Sequence, residues 1–251
     1  MSDENRISDR IRPVLVLVAT LGVIAFNWMA ASGRINDVTP QIISDRYPTL
    51  VTPAGYAFSI WSLIYLGLIA FSIYQLLPKN SYRFSAARTP YILSCVLNCA
   101  WIYFWHHDSV VICLIVIFAL WLTLLWTYSR STPEPSVPDT WLVKAPFGLY
   151  TGWVTAATLV NLAVVIKTLN ISLPETAIGV ILIILAAAVG VGARLVLRNF
   201  FFPLAVAWAL TAIAVKQSGQ TAIVLAAAVG VVACLIASVS FVLNLRSSSD
   251  E

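Results

Sequence analysis

The sequence predicts an all-α integral membrane protein of roughly eight spans with essentially no soluble domain. Three observations predict it. Of 251 residues, 60% are hydrophobic and only 10% are charged, too few charges to cover a soluble domain of this length. The charges fall in short segments between apolar runs, and a run of about 20 apolar residues crosses about 30 Å of hydrocarbon. No water satisfies the backbone inside lipid, so each run must close its own hydrogen bonds as a helix.

In chain order, Met1 to Arg12 is a polar tail of mixed charge. The run Pro13 to Ser32 is too long for a signal h-region and lacks a small-residue cleavage site, so it reads as the first span. Gly33 to Thr52 is polar, yet Ile42, Ile43, Tyr47 and Leu50 are interleaved, which predicts an ordered loop. The next spans are Ala54–Leu77, Tyr91–Trp105, Val110–Tyr128 and Trp141–Ile166. His106-His107-Asp108 makes a tight turn, and Thr132 to Pro138, with three prolines, a stiff connector. After Leu169 the aromatic character fades, and Trp208 is the only tyrosine or tryptophan beyond Trp153. Three further spans follow, Pro174–Ala193, a short Phe200–Val215 and Thr221–Leu245. The heptad Leu-Ala-Ala-Ala-Val-Gly-Val occurs at 185–191 and again at 225–231. Its Ala186/Gly190 and Ala226/Gly230 pairs allow close helix approach in lipid, within the chain or between two copies in a homodimer.

Basic residues near span ends set the orientation. Arg6, Arg10, Arg12, Lys79, Arg83, Arg88, Arg130, Arg194, Arg198 and Arg246 gather on one side. Arg34, Arg46, Lys167 and Lys216 lie on the other. Both termini are therefore expected in the cytoplasm if there are eight spans, with a bacterial inner membrane as the default setting. The net charge of +4 needs no nucleic acid to explain it.

The chemistry available is narrow. None of the eleven acidic residues falls mid-span, which counts against an ion-coupled transporter. The cysteines Cys95, Cys99, Cys113 and Cys234 sit in apolar runs without metal-site spacing, as buried thiols. The two histidines are adjacent, so the chain alone cannot offer a bis-His haem site between helices. His106 and His107 are at most weak metal candidates, one of them as a ligand to the metal of a bound porphyrin.

Aromatic and amide groups remain. Asn98, Trp101 and Trp105 fall at i, i+3 and i+7 on one helix face. Trp61 pairs with Tyr65, four residues on, and Trp153 returns to the face of Asn161. An asparagine in hydrocarbon needs a partner, so both should face inward. Trp105, Trp126, Trp141 and Tyr128, near span ends, read mostly as interfacial belts, whereas Trp61, Trp101, Trp121 and Trp153 lie deeper. Together these side chains would line an apolar, flat-walled cavity with a few polar handles, suited to a planar aromatic ligand or a sterol.

The segment Pro48-Thr-Leu-Val-Thr-Pro-Ala-Gly-Tyr-Ala-Phe-Ser-Ile-Trp-Ser-Leu-Ile-Tyr65-Leu-Gly67 resembles the signature of the TspO/MBR family, the tryptophan-rich sensory proteins related to the mitochondrial translocator protein. Leu97-Asn-Cys-Ala-Trp-Ile-Tyr-Phe-Trp105 resembles that family's third helix. Trp121 falls at the tryptophan of its fourth, and Trp153-Val-Thr-Ala-Ala-Thr-Leu-Val-Asn161 is similar to its fifth. The resemblance covers about residues 10–168. It implies a five-helix bundle over 13–169, with a pocket under the first loop and the 33–52 segment as a lid. It adds Tyr56 and Phe58 to the ligand-binding candidates Trp61, Tyr65, Asn98, Trp101, Trp121, Trp153 and Asn161. Residues 170–246 form a three-span extension beyond the bundle, and 247–251 a tail.

The implied function is that of a membrane binding protein or sensor for a planar hydrophobic ligand, a porphyrin, haem or other tetrapyrrole, or a sterol-like molecule. The partners are the bilayer and that ligand, and no cofactor is required. Two alternatives are a transporter of small hydrophobic molecules and an enzyme that degrades porphyrin in light. The chain shows no acid–base pair or nucleophile of its own that demands catalysis. It departs from the family pattern at Pro53-Ala54-Gly55-Tyr56, in the spacing of Phe58 to Trp61, and at Pro146, changes that reshape the pocket mouth.

Overall fold

A computed structural model describes residues 3–247, with side chains described for 11–240. Among the described residues the regular elements are all helices, with no strand. The helices are α1 (Asp3–Ala31), α2 (Pro40–Arg46), α3 (Ile60–Tyr74), α4 (Pro78–Ser81), α5 (Ser85–His106), α6 (Val110–Ser131), α7 (Val137–Asp139), α8 (Ala145–Thr168), α9 (Glu175–Leu197), α10 (Phe201–Lys216) and α11 (Thr221–Ser247). A 3₁₀ turn, Gly55–Ser59, leads into α3, and a π-turn, Thr140–Lys144, joins α7 to α8. The polar tail expected at 1–12 is helical from Asp3 onward, and residues 248–251 of the expected C-terminal tail lie outside the described residues.

Eight long helices stand where the sequence places spans. Six are long and apolar enough to cross a membrane. The other two are α5, whose first turns carry the buried Arg88, and α10. With 16 residues, α10 is about 24 Å long at 1.5 Å per residue, short of a hydrocarbon core of about 30 Å.

The chain divides into two compact units, 1–43 with 61–147, and 44–60 with 148–251. The divisions fall within α2, at the start of α3 and inside α8, whereas the sequence places a domain boundary at 169/170.

The first unit centres on aromatic rings. Phe71 of α3 meets Phe147 of α8 at 4.8 Å between ring centroids, and Phe84 and Tyr91 at 5.5 Å each. All four are almost completely buried, and edge-to-face pairs of this kind add about 0.5–1.5 kcal/mol beyond their burial. Helix α3 can approach the start of α8 only because Gly67 lacks a side chain. A Cβ there would lie 2.8 Å from the Pro146 Cβ. Polar groups line the α1 interior at seven-residue intervals. Gln75 donates to the Pro13 carbonyl at 2.8 Å, Thr20 bonds Ser72 and Tyr91 at 2.6 Å each, and Asn27 donates to the Asn98 oxygen at 2.6 Å.

The second unit is built on small residues. Contacts of α9 with α11 advance together along both helices. The Gly179 Cβ position meets Ile223, that of Gly230 meets Ala187, and that of Gly190 meets the Cys234 sulfur. The two helices therefore run parallel, and their repeated heptads pack one turn out of register. Phe202, Val206, Leu210 and Ile213 of α10 complete this core. Gly152 of α8 lies under the Phe202 carbonyl, where a Cβ would come within 2.4 Å. Arg198 ends α9 in the left-handed conformation, and the Asn199 side chain accepts from the Phe201 N–H to start α10.

Candidate functional site

The candidate residues are distributed over both units. Trp61, Tyr65, Asn98, Trp101 and Trp121 belong to the first, and Tyr56, Phe58, Trp153 and Asn161 to the second.

In the first unit, the face expected on α5 is inward, with Asn98, Trp101 and Trp105 all buried. Trp101 stacks on Trp105 at 5.7 Å and 17°. The Trp105 indole N–H donates to the Pro40 carbonyl at 3.2 Å. This corrects the expectation that Trp105 belongs to an interfacial belt: its ring is packed and its N–H is committed to the first residue of α2. Tyr128 is also buried, while Trp126 and Trp141 are exposed as belt residues are. Asn98 faces inward because α1 supplies Asn27, whose amide also bonds the Val23 carbonyl. The Asn27 oxygen is buried with no donor among the described residues. Trp61 and Tyr65 are partly exposed, with rings 6.4 Å apart. Trp121 is partly exposed and stacks on Phe118 at 5.9 Å.

The histidines secure the adjoining turn. His106 is buried just beyond the apolar stretch 91–105, its Nδ1 2.9 Å from the Ile102 carbonyl. Burial pushes its pKa below the ordinary histidine value, partly offset by hydrogen bonds to the Ile102 and Val38 backbone. Asn36 donates to the His106 carbonyl at 2.9 Å. The exposed His107 bonds the Tyr103 carbonyl at 2.7 Å. Both rings thus spend Nδ1 on the helix end. Among the described residues no three histidines, cysteines or acids gather as a metal site.

In the second unit, Phe58 meets the buried Trp153 edge to face at 5.9 Å, and Tyr56, largely exposed, meets Trp208 at 5.3 Å. Asn161 is buried and donates to the Ala157 carbonyl at 2.9 Å. Helix α10 and the Gln217 that follows it also grip the chain from Thr49 into the 3₁₀ turn. The Trp208 indole donates to the Ala57 carbonyl at 3.0 Å, the Ala54 N–H to the Ala212 carbonyl at 2.9 Å, and the Gln217 amide to Thr49 and Thr52 carbonyls at 3.1 and 3.3 Å. The later half of the segment expected as a lid is therefore fastened to a C-terminal helix.

The sequence assigns no contact to Thr20, Asn27, Gln75, Asp139 and Trp208, and places Arg88 only among the basic residues of one side. The heptad Pro13–Thr20–Asn27 was a usable signal for the first two. Asp139 gave none. It is fully buried and accepts from Tyr74 at 2.8 Å, from the Glu134 N–H at 2.6 Å and from Arg83.

The sequence matches the TSPO-like protein family over residues 13–241, and the chain belongs to that family. No curated protein and no solved structure matches it. Membership makes it a membrane-embedded protein of the binding or sensor kind. The match runs through α9, α10 and α11, where the motif resemblance stopped near residue 168.

Proposed function

We propose that the protein binds a planar hydrophobic ligand, a porphyrin or related tetrapyrrole, within a bacterial inner membrane, with both termini in the cytoplasm. The observation that carries this reading is the buried Trp101–Trp105 stack beside Asn98 on one face of α5. A macrocycle would stack on the Trp101 indole in place of side chains that now pack against it, and Asn98 would exchange its Asn27 partner for the ligand's polar edge. Family membership supports a binding role, and the motif resemblance supplies the ligand class.

The test is tryptophan quenching by protoporphyrin IX in reconstituted protein, with a sterol and a hydrophobic dye as controls. Trp101→Leu keeps apolar bulk but removes the indole face. Its affinity should fall roughly tenfold, the upper end of what one aromatic contact supplies. Trp126→Leu, at an exposed belt position, should leave affinity unchanged. Equal affinities in wild type and Trp101→Leu, or quenching no more saturable than the dye's, would refute the reading.

A further inference from the structure

The second unit carries a half-open cavity of ≈ 420 Å³ that none of the nine candidate residues lines. Its walls come from three places. The first is the end of α8, closed by a left-handed Asn170, with the Ile171 N–H on the Ile166 carbonyl and the Asn170 N–H on the Lys167 carbonyl. The second is the first turn of α9, with Glu175, Ile178 and Gly179. The third is Thr49–Val51, which Gln217 fastens through the Thr49 and Thr52 carbonyls. The cavity is thus preformed, and its size falls in the range of about 300–1,000 Å³ typical of small-molecule sites.

The lining specifies an amphiphile. Leu50, Val51, Ala163, Ile166 and Ile178 supply apolar lining, and the exposed Asn170 and Ser172 an amide and a hydroxyl. Leu169, Ile171 and Leu173, in the same α8–α9 turn, expose about half of their surface. Exposed apolar side chains beside the cavity suit a ligand drawn from lipid.

Charge narrows the class further. Lys167 lies 3.0 Å from Glu175 and also donates to the Pro48 carbonyl. Two of its three N–H directions are used, and the pair is neutral. An anionic head would meet the Glu175 carboxylate, and a cationic head the Lys167 ammonium. A hydroxyl escapes both penalties, because it accepts from the ammonium and donates to the carboxylate. We propose that this cavity binds a single-chain amphiphile with an uncharged, hydroxylated head, of the monoacylglycerol type, taken from the bilayer. The assignment does not depend on tetrapyrrole binding.

The experiment uses the full chain in lipid nanodiscs with a medium-chain 1-acylglycerol carrying a photoactivatable diazirine. Adducts mapped by mass spectrometry should concentrate in 49–51 and 166–179, saturate, and be competed by unlabelled 1-decanoylglycerol. Ser172→Trp, at an exposed loop position, should cut labelling at least fivefold with an unchanged melting temperature. The matching diazirine fatty acid, ionised at pH 8, should label at least fivefold less than the acylglycerol, and Glu175→Gln should narrow that gap. Unsaturable adducts spread over exposed positions such as Leu185 and Val229, labelling indifferent to Ser172→Trp, or preference for the fatty acid in the wild type would overturn the proposal.

Discussion

Asp139 shows how much one side chain can hold. It is completely buried, and its carboxylate gathers a tyrosine hydroxyl, a backbone N–H and an arginine. Those partners come from α3, from the chain before α4's neighbour α5, and from the connector after α6, so one anion joins three segments. Arg83 also pairs with the exposed Glu134 carboxylate at 3.3 Å, so removing the Asp139 charge leaves the guanidinium with only a solvent-screened partner. Asp139→Asn should therefore lower stability by about 3 kcal/mol, the low end for such pairs, because the Arg83 side chain keeps 19% exposure. A thermal melt in detergent measures this, and a loss below about 1 kcal/mol would mean that water already shields Arg83.

Helix α10 matters at the next scale up. It is too short to span comfortably, yet its side chains and backbone hold the segment from Thr49 to Ala57 by four hydrogen bonds to α10 and the Gln217 that follows it. Gln217→Leu removes two of them. At about 1 kcal/mol each, local opening should become roughly 30-fold easier. Hydrogen exchange of amides 49–54 should accelerate by about that factor, while α9 and α11 amides keep their protection. Unchanged exchange at 49–54 would show that Ala54 and Trp208 hold the segment alone. The glycines act on the same scale. Gly67, Gly152 and Gly230 each sit where a neighbour occupies the space of a Cβ, so helix spacing is written in absent side chains.

For the whole molecule, the number of crossings is the central quantity. Six helices are apolar and long enough, α5 carries buried polar groups, and α10 is short. If all eight cross in the orientation expected from the basic residues, reporters fused to either terminus should both read as cytoplasmic. A cytoplasmic N-terminal reporter with a C-terminal reporter on the opposite face would mean that one of α5 or α10 is re-entrant. The two compact units raise a related point. Each is made of two separated stretches of chain, and α8 passes from one to the other at 147/148.

Local sequence determined the class of this protein. Long apolar runs in lipid have one way to satisfy their backbone, so the helices, their order and the inward α5 face were legible from period and composition. The motifs around Trp61, Trp101 and Trp153 carried the family. Tertiary structure decided the rest, because the partners are distant in sequence. Asn98 is satisfied by Asn27, Asp139 by Arg83, and the Thr49–Ala57 segment by a helix more than 150 residues later. Hydrogen-bond pairing and close packing depend on where chains meet in space, and neither leaves a periodic trace along one chain.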